Sequence, residues 1–544
     1  MKKTSVLIFL ILLLAASLRF FRLWEVPSGV TNDEAQVIYT GYSIWQTHRD
    51  INGKFLPLSF NIDNSFSPIA IYLLAPVVGI FGVSSFTGRF LFAFLGVISV
   101  FLVFLIAKKI FGNFYIAVIS MFVMAVSPWH LQFSRSAYEV SVALFFYLLA
   151  IYVFLNMLKT GKFWMSLPFF LLGFYSYHAT KIFLIFYIPL LLFIYKDQIL
   201  KFKRSLLLFL LGMVCIGASF IYIAKTQNVT RGGVLLFNDS KSAVKLVDLE
   251  RTLTEPTVPL PMRSIFNNKF LYFLRIMREN YMEAFSPQFL FLYGETSGLA
   301  GIYGTYFRGE LYFIEFVFLI LGVFYTVSQK DTKAMVFLIS SLLIAPLPSA
   351  LAVDKSYSSR SMMMLPFLAI LIGCGIYCLI SYCRKDNAIF RKLLLLSIGS
   401  IYAFQIVSYV YQYQFRYSIY GAEPWFRSSK DVVQFIAKNK NKYDNVYIVN
   451  KGDLLMQYAF FNQLDPKLTS RLYIVNKPIT IDNVHFIREC LDTREAIFTP
   501  LKFLAKHTLY ITPDACHKKA EPQKAIVDRG EPLRTIWKIF ERGE

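Results

Sequence analysis

Apolar residues come in long runs over most of this chain, separated by short polar stretches. The runs at 5–18, 90–107, 114–126, 140–158, 205–224, 311–327, 334–352, 361–382 and 393–411 are mostly long enough to cross a hydrocarbon layer of ~30 Å as helices. Two shorter runs, 163–177 and 182–195, are marginal by length. Another stretch, 68–83, is broken by Pro76 and Gly79 and predicts a helix lying on the membrane surface. From residue 412 onward the apolar runs shrink to strand length, at 446–449, 472–475 and 509–511, with helical patterns at 430–438 and 453–462. The pattern predicts an all-α polytopic domain over 1–411, then a small α/β domain, its sheet mixed, over 412–544.

Charge settles the marginal runs. Cationic clusters sit at Lys2-Lys3, Lys108-Lys109, Lys159/Lys162, Lys196 through Arg204, Lys330/Lys333, and Arg384-Lys385 with Arg391-Lys392. They occupy every second loop, the pattern of cytoplasmic loops. Eleven crossings satisfy it, both marginal runs included, with the N-terminus cytoplasmic and the C-terminal domain outside a plasma (inner) membrane. The first run reads as an uncleaved anchor, although Ala15-Ala16-Ser17 also suits a signal-peptide cleavage site. Net charge is +22, and its placement in these loops argues against a nucleic-acid partner. Cys374 and Cys378 fall in an apolar helix; only Cys490 and Cys516 are placed to pair.

Two outer loops are long, 22–88 and 225–310. The first carries Asp33-Glu34, for which two readings stand together. Thr31 or Asn32 caps a helix with the acids in its first turn, or the acids do chemistry at the membrane surface. The topology brings Asp33, Glu34, Arg89, Arg135, Glu139, His178, Lys181, Arg308 and Arg360 to that same side. Snorkelling to headgroups is the bland role for the cations; Arg135, Lys181 and Arg360 depart from it because they oppose the positive-inside bias. Tyr177 and His178 lie in Tyr175–Lys181, a polar helix end suited to a sugar or phosphate. Such a set fits displacement of a lipid-linked phosphate: one carboxylate takes the acceptor proton, and cations stabilise the leaving phosphate. No phosphate-binding loop, dinucleotide glycine pattern, His/Cys metal cluster or nucleophile elbow occurs.

Four stretches carry a family resemblance: Pro27–Glu34, Ser67–Arg89, Ser127–Glu139, and Pro346–Arg360 with Leu365-Pro366. In order and topology they resemble the polytopic GT-C glycosyltransferases, in particular bacterial relatives of the protein O-mannosyltransferases and the aminoarabinose transferases. The resemblance implies a polyprenyl-phosphate sugar as donor and a lipid, glycan or protein hydroxyl as acceptor. It makes Asp33 the catalytic base, with Glu34 assisting it or holding the acceptor. Arg89, Arg135, Glu139, Tyr177, His178, Lys181 and Arg360 become donor phosphate or sugar contacts. The second-loop acid is Glu139 where many relatives have Asp, and Lys181 lacks the Gly-Pro that often follows it. No β-trefoil domain is recognisable. No cofactor is assigned beyond the polyprenyl-phosphate sugar as donor; a divalent cation beside the phosphate is compatible with this reading, but Asp33 and Glu34 alone are too few ligands to claim one. The alternatives are a transporter or flippase of lipid-linked glycan, and an oligosaccharide ligase or polymerase.

Overall fold

The structure is a computed structural model. It describes residues 2–61, 65–227, 235–238, 240–298, 300–329, 332–353, 356–382, 388–450, 454–468, 479–491, 505–517 and 520–542. The helices of the first part are α1 (Lys2–Phe20), α2 (Asn32–Thr47), α3 (Pro68–Phe81), α4 (Ser85–Phe111), α5 (Phe114–Val126), α6 (Pro128–Ser134), α7 (Glu139–Met157), α8 (Leu167–Phe174) and α9 (Thr180–Ile194). Apolar helices follow at Lys203–Gln227, Glu315–Ser328, Thr332–Ile344, Leu365–Tyr382 and Ala388–Tyr411. Each run expected to cross is thus helical. Among the described residues six continuous helical spans are long and apolar enough to cross, Ser85–Phe111, Glu139–Met157, Lys203–Thr226, Thr332–Ala350, Met362–Tyr382 and Ile389–Tyr420, and a seventh results if α5 and α6, bent by 58°, count as one. The remaining four runs form the shorter apolar spans Thr4–Phe20, Phe163–Phe174, Thr180–Ile194 and Glu315–Ser328, and α3 is likewise short. These lengths support a multi-pass membrane protein without fixing eleven crossings.

Local chemistry sets the breaks. Ser84 and Thr87 form a reciprocal capping box at the start of α4, and left-handed Gly112 ends that helix with its N–H on the Lys108 carbonyl. Asn113 then caps α5 through the Tyr115 and Ile116 amides. Ser127-Pro128 closes α5 and opens α6, with the Ser127 hydroxyl accepting from His130 N–H. Between Glu315–Ser328 and Leu365–Tyr382, a Cβ on Gly322 would lie 1.8 Å from the Leu371 carbonyl oxygen. Only glycine permits that approach, which is how helices gain contact where no hydrophobic drive operates between them.

Among the described residues the C-terminal part forms one mixed sheet of six strands. Its strands are β3 (Asn445–Val449), β4 (Ile479–Ile481), β5 (Val484–Ile487), β6 (Thr508–Pro513), β7 (Lys524–Val527) and β8 (Thr535–Arg542), after a small β1 (Phe60–Asn61)/β2 (Ser65–Phe66) ladder in the first long loop. The order is β4-β5-β3-β6-β8-β7. β3 runs parallel to β5 and β6, and the outer pairs are antiparallel. Helices Arg427–Asn439 and Leu454–Phe461 match the expected helical patterns. The strand expected at 472–475 lies outside the described residues. Cys490 and Cys516 are joined in a disulfide.

This part is docked onto the first long loop by specific bonds. Gln457 Nε2 donates to the Val30 carbonyl (2.9 Å) and to Asn32 Oδ1 (2.9 Å). Tyr39 hydroxyl donates to the Leu464 carbonyl (2.8 Å). Arg427 Nη1 reaches the Ser28 carbonyl (3.3 Å). Gly29 sits so close to the linker that a Cβ there would fall 1.8 Å from the Trp425 carbonyl oxygen.

Candidate functional site

The acidic pair splits at the start of α2. The Thr31 hydroxyl caps the helix by accepting from Glu34 N–H (3.2 Å), so the bland expectation of a capped first turn holds. The one-residue step turns the two acids to different surroundings. Glu34 is fully buried and Asp33 is half-buried.

Glu34 is held in a two-pronged ion pair with Arg89: Nε to Oε1 and Nη2 to Oε2, both 2.8 Å. Its Oε1 also accepts from Ala137 N–H (3.0 Å). The rest of the Arg89 guanidinium donates to the Leu23 (3.3 Å), Pro27 (2.9 Å) and Gly29 (2.6 Å) carbonyls, and it lies 5.5 Å from the Trp425 ring. Arg135 does similar work deeper down. It donates to the Leu18 (2.8 Å) and Arg19 (2.9 Å) carbonyls in the last turn of α1 and to the Val26 carbonyl (2.9 Å) beyond it. The structure therefore puts Glu34, Arg89 and Arg135, expected as catalytic or donor-binding groups, into the buried frame that holds the first loop. Arg308 is likewise engaged, with Gln412 Oε1 (3.1 Å) and Ser408 Oγ (3.0 Å).

Asp33 lines a narrow pocket of about 50 Å³ with Glu139, Tyr138, Tyr177, Tyr303 and Ser359. The second carboxylate, Glu139, opens α7 and accepts from Ser67 N–H. Tyr177 hydroxyl donates to Ser359 Oγ (3.3 Å), and the Tyr138 hydroxyl lies 3.0 Å from Thr31 Oγ1. Burial, followed by Tyr303 and the charges of Asp33 and Glu34, raises the Tyr138 phenol well above its usual value. It stays a hydroxyl donor at neutral pH.

Two cations stand beside this pocket in the chain. Lys181, in the first turn of α9, follows Tyr177 of the preceding loop by four residues; its Nζ lies 3.1 Å from His178 Nδ1 and 4.7 Å from the Phe220 ring centre. Arg360 ends the short helix Tyr357–Arg360 and is the neighbour of Ser359. That helix is held from beneath by acids that sequence reasoning missed. Ser358 N–H donates to Glu295 Oε2 (3.0 Å), its hydroxyl donates to Glu310, and its carbonyl accepts from Trp129 Nε1 (2.8 Å). Burial pushes the Glu310 carboxyl up to about 8 and raises Glu295 as well.

On the other side of Ser67 lies a groove of about 730 Å³ between α3, α8 and the helix Lys203–Gln227. Pro68, Tyr72, Trp164, Leu171, Tyr175 and Ile216 are among its mostly apolar walls. The same short segment serves both spaces: Ser67 binds Glu139 while Pro68 lines the groove, and Tyr175 lines the groove while Tyr177 lines the pocket.

Of the expected residues, the structure brings Asp33, Glu139 and Tyr177 together. His178, Lys181 and Arg360 flank them in sequence. Tyr138, Tyr303 and Ser359 were missed, and only the adjacency of Tyr138 to Glu139 offered a signal. Asp354 and Lys355 of the late loop lie outside the described residues. Among the described residues no three His, Cys, Asp or Glu side chains gather as a metal set.

Residues 65–222 match the family described as dolichyl-phosphate-mannose-protein mannosyltransferase. No curated protein sequence matches the chain. Among solved structures, apo ArnT from Cupriavidus metallidurans is similar over 98% of both chains, with 11% identity and a TM-score of 0.51. The same protein bound to undecaprenyl phosphate gives 12% identity, 98% and 97% coverage, and a TM-score of 0.50. The oligosaccharyltransferase AglB from Archaeoglobus fulgidus, in complex with an inhibitory peptide and a dolichol-phosphate, gives 13% identity and a TM-score of 0.46. The match covers 84% of this chain and 63% of AglB. Residues 65–222 thus carry the likeness to the protein mannosyltransferase family, and the chain as a whole shares the fold of ArnT.

Proposed function

We propose that this multi-pass membrane protein moves a monosaccharide from a polyprenyl-phosphate donor to an acceptor hydroxyl on a lipid, glycan or protein, by direct inverting displacement. One observation carries the reading: Asp33 and Glu139 share a small pocket, and Ser67-Pro68 runs between that pocket, through the Ser67 N–H bond to Glu139, and an apolar groove that Pro68 lines. The groove is the right kind of space for a polyprenyl chain, and the pocket for the groups at its head. At about 50 Å³ the pocket must widen to admit a sugar.

In this reading Asp33 is the base. As the acceptor oxygen forms its bond to the anomeric carbon, the acceptor proton passes to Asp33. The bond from that carbon to the phosphate oxygen breaks, its electron pair leaves with the phosphate, and polyprenyl phosphate is released. Lys181 and Arg360 supply positive charge where the leaving phosphate gains negative charge. Glu139, Tyr138 and Tyr177 orient the sugar hydroxyls. Glu34 and Arg89 position the loop that carries Asp33.

Eleven crossings place the pocket and the C-terminal domain on the extracytoplasmic side. Two features support that side. The Cys490–Cys516 disulfide belongs in an oxidising compartment, and Gln457 ties that domain to the loop holding Asp33.

The test uses purified wild type and Asp33→Asn protein in nanodiscs, a panel of polyprenyl-phosphate sugars and an acceptor extract, following polyprenyl-phosphate release. Wild type should turn over one donor, and Asp33→Asn should be slower by at least about 100-fold. Equal turnover in both would remove Asp33 as the base.

A further inference from the structure

The second long loop contains a helical hairpin that the reaction does not use. Its helices are Ser240–Thr252, Leu260–Phe266 and Lys269–Glu283. Large apolar side chains at its tip point into open space: Leu253 is 76% exposed, Leu260 74%, Phe266 67% and Phe270 72%. Soluble surfaces rarely present apolar groups in such a cluster.

The tip is built rather than frayed. Arg263 donates to the carbonyls of Pro256 (2.6 Å), Val258 (2.7 Å) and Glu255 (3.0 Å), and Arg251 to that of Asn267 (2.9 Å). An Arg275–Glu250 ion pair (2.6 Å) clasps the two longer helices. Order of this kind keeps the apolar groups displayed, so the fold maintains their exposure instead of hiding them.

The base of the hairpin fixes its level. Tyr281 hydroxyl donates to the carbonyl of Leu343 (2.8 Å), in the last turn of the apolar helix Thr332–Ile344. Asn280 donates to the Ala352 carbonyl (3.0 Å) and accepts from Tyr357 (3.1 Å), two residues before Ser359 of the pocket. The hairpin thus springs from the membrane boundary on the pocket side, and the 15 residues of Lys269–Glu283 give it a reach of ~22 Å. Along it the exposed cations Lys241, Lys245, Lys269, Arg275 and Arg278 outnumber the exposed acids Asp248, Glu255 and Glu279, a net positive charge suited to anionic headgroups.

We propose that this hairpin lies in the bilayer interface, its tip inserted into the acyl region of the leaflet that faces the pocket. An amphipathic helix with basic residues beside large apolar ones partitions there through both apolar burial and charge. The occupant of the exposed face is lipid, because the face continues from the membrane-spanning surface at Leu343 and carries charge of the right sign. The proposal rests only on the protein being multi-pass, not on the transfer reaction.

The full chain is placed in nanodiscs of phosphatidylcholine and phosphatidylglycerol that include a phosphatidylcholine with an acyl-chain diazirine. After illumination, adducts are mapped by peptide mass spectrometry. Tip residues 253–270 should be labelled roughly tenfold more than Leu533, a fully exposed leucine of the C-terminal sheet domain, and to a degree comparable with Phe193 in the membrane belt. A variant combining Phe266→Ser with Phe270→Ser should lose tip labelling while Phe193 labelling, the mark of a correctly inserted protein, is unchanged. Tip labelling no higher than that of Leu533 overturns the proposal. So does its replacement by cross-links to a second copy or another protein.

Discussion

Glu34→Gln separates the buried frame from the chemistry. Glu34 and Arg89 are both fully buried, and their pairing uses two bonds of 2.8 Å. An amide of the same size keeps one acceptor but turns a second donor toward Arg89 and leaves the guanidinium charge without its counter-charge. Breaking a buried pair by removing one partner costs ~3–5 kcal/mol. The three carbonyls around Arg89 remain as partial compensation, so the lower end of that range is expected. In scanning fluorimetry the apparent midpoint should fall by roughly 3–4 °C, measured at one scan rate because unfolding of such a protein is under kinetic control. Asp33→Asn, a change at a half-buried position, serves as the control. It should melt within about 1–2 °C of wild type while losing transfer. The refuting result is Glu34→Gln that melts like wild type yet does not turn over. Glu34 would then be a reacting group, and the assignment of the pair to the frame would fall.

Arg360→Ala should raise the donor concentration needed for half-maximal rate by about 10-fold or more, with little change toward the acceptor; an effect confined to the acceptor would remove Arg360 from the phosphate site. Glu310 gives a pH signature. Its carboxyl is raised from 4.5 to about 8 in the fold, so the native state holds a proton that the unfolded chain releases above about pH 4.5. Its stabilising contribution is complete below that pH and is lost as pH rises through about 8; Glu310→Gln should flatten this fall in a series of melts, and an unchanged slope would refute the assignment. Cys490→Ser opens a disulfide spanning 26 positions, worth ~3–4 kcal/mol by chain entropy. Loss of a separate late unfolding step from the C-terminal domain, with the membrane helices unaffected, is the expected readout.

The apolar runs were legible because membrane helices write their whole length into the sequence, and each run emerged as a helix. The number of crossings was not, since four of the helices are too short to decide by length. The strands with continuous apolar cores, β3 and β6, were visible. β8 was passed over: Thr535-Ile-Trp-Lys-Ile-Phe-Glu-Arg542 mixes Lys538 into an apolar run, and the structure resolves this by giving Lys538 the His517 and Ala520 carbonyls and the Asp514 carboxylate. At the site, the sequence offered Asp33, Glu34 and Glu139 but not the partners that the fold gives Glu34. A guanidinium near a membrane face reads the same whether it faces a phosphate or a ring of carbonyls. Arg89 and Arg135 spend their donors on backbone oxygens tens of residues away, which no local pattern records. Glu295 and Glu310 were invisible for the same reason, their meaning lying in a contact with Ser358.

The seating of Gly29 against Trp425, with Gln457 bound to Val30 and Asn32, bears on how such a protein can be recombined. A single methyl group at position 29 would collide with the linker backbone, and a foreign helix in place of Leu454–Phe461 would leave the Asn32 side chain without its amide. The stretch Ser28–Asp33 and the span 422–461 are therefore one inheritable unit, although almost 400 residues separate them in the gene's reading order. Chimeras that exchange the C-terminal portion alone should fail, and those that exchange both pieces should not.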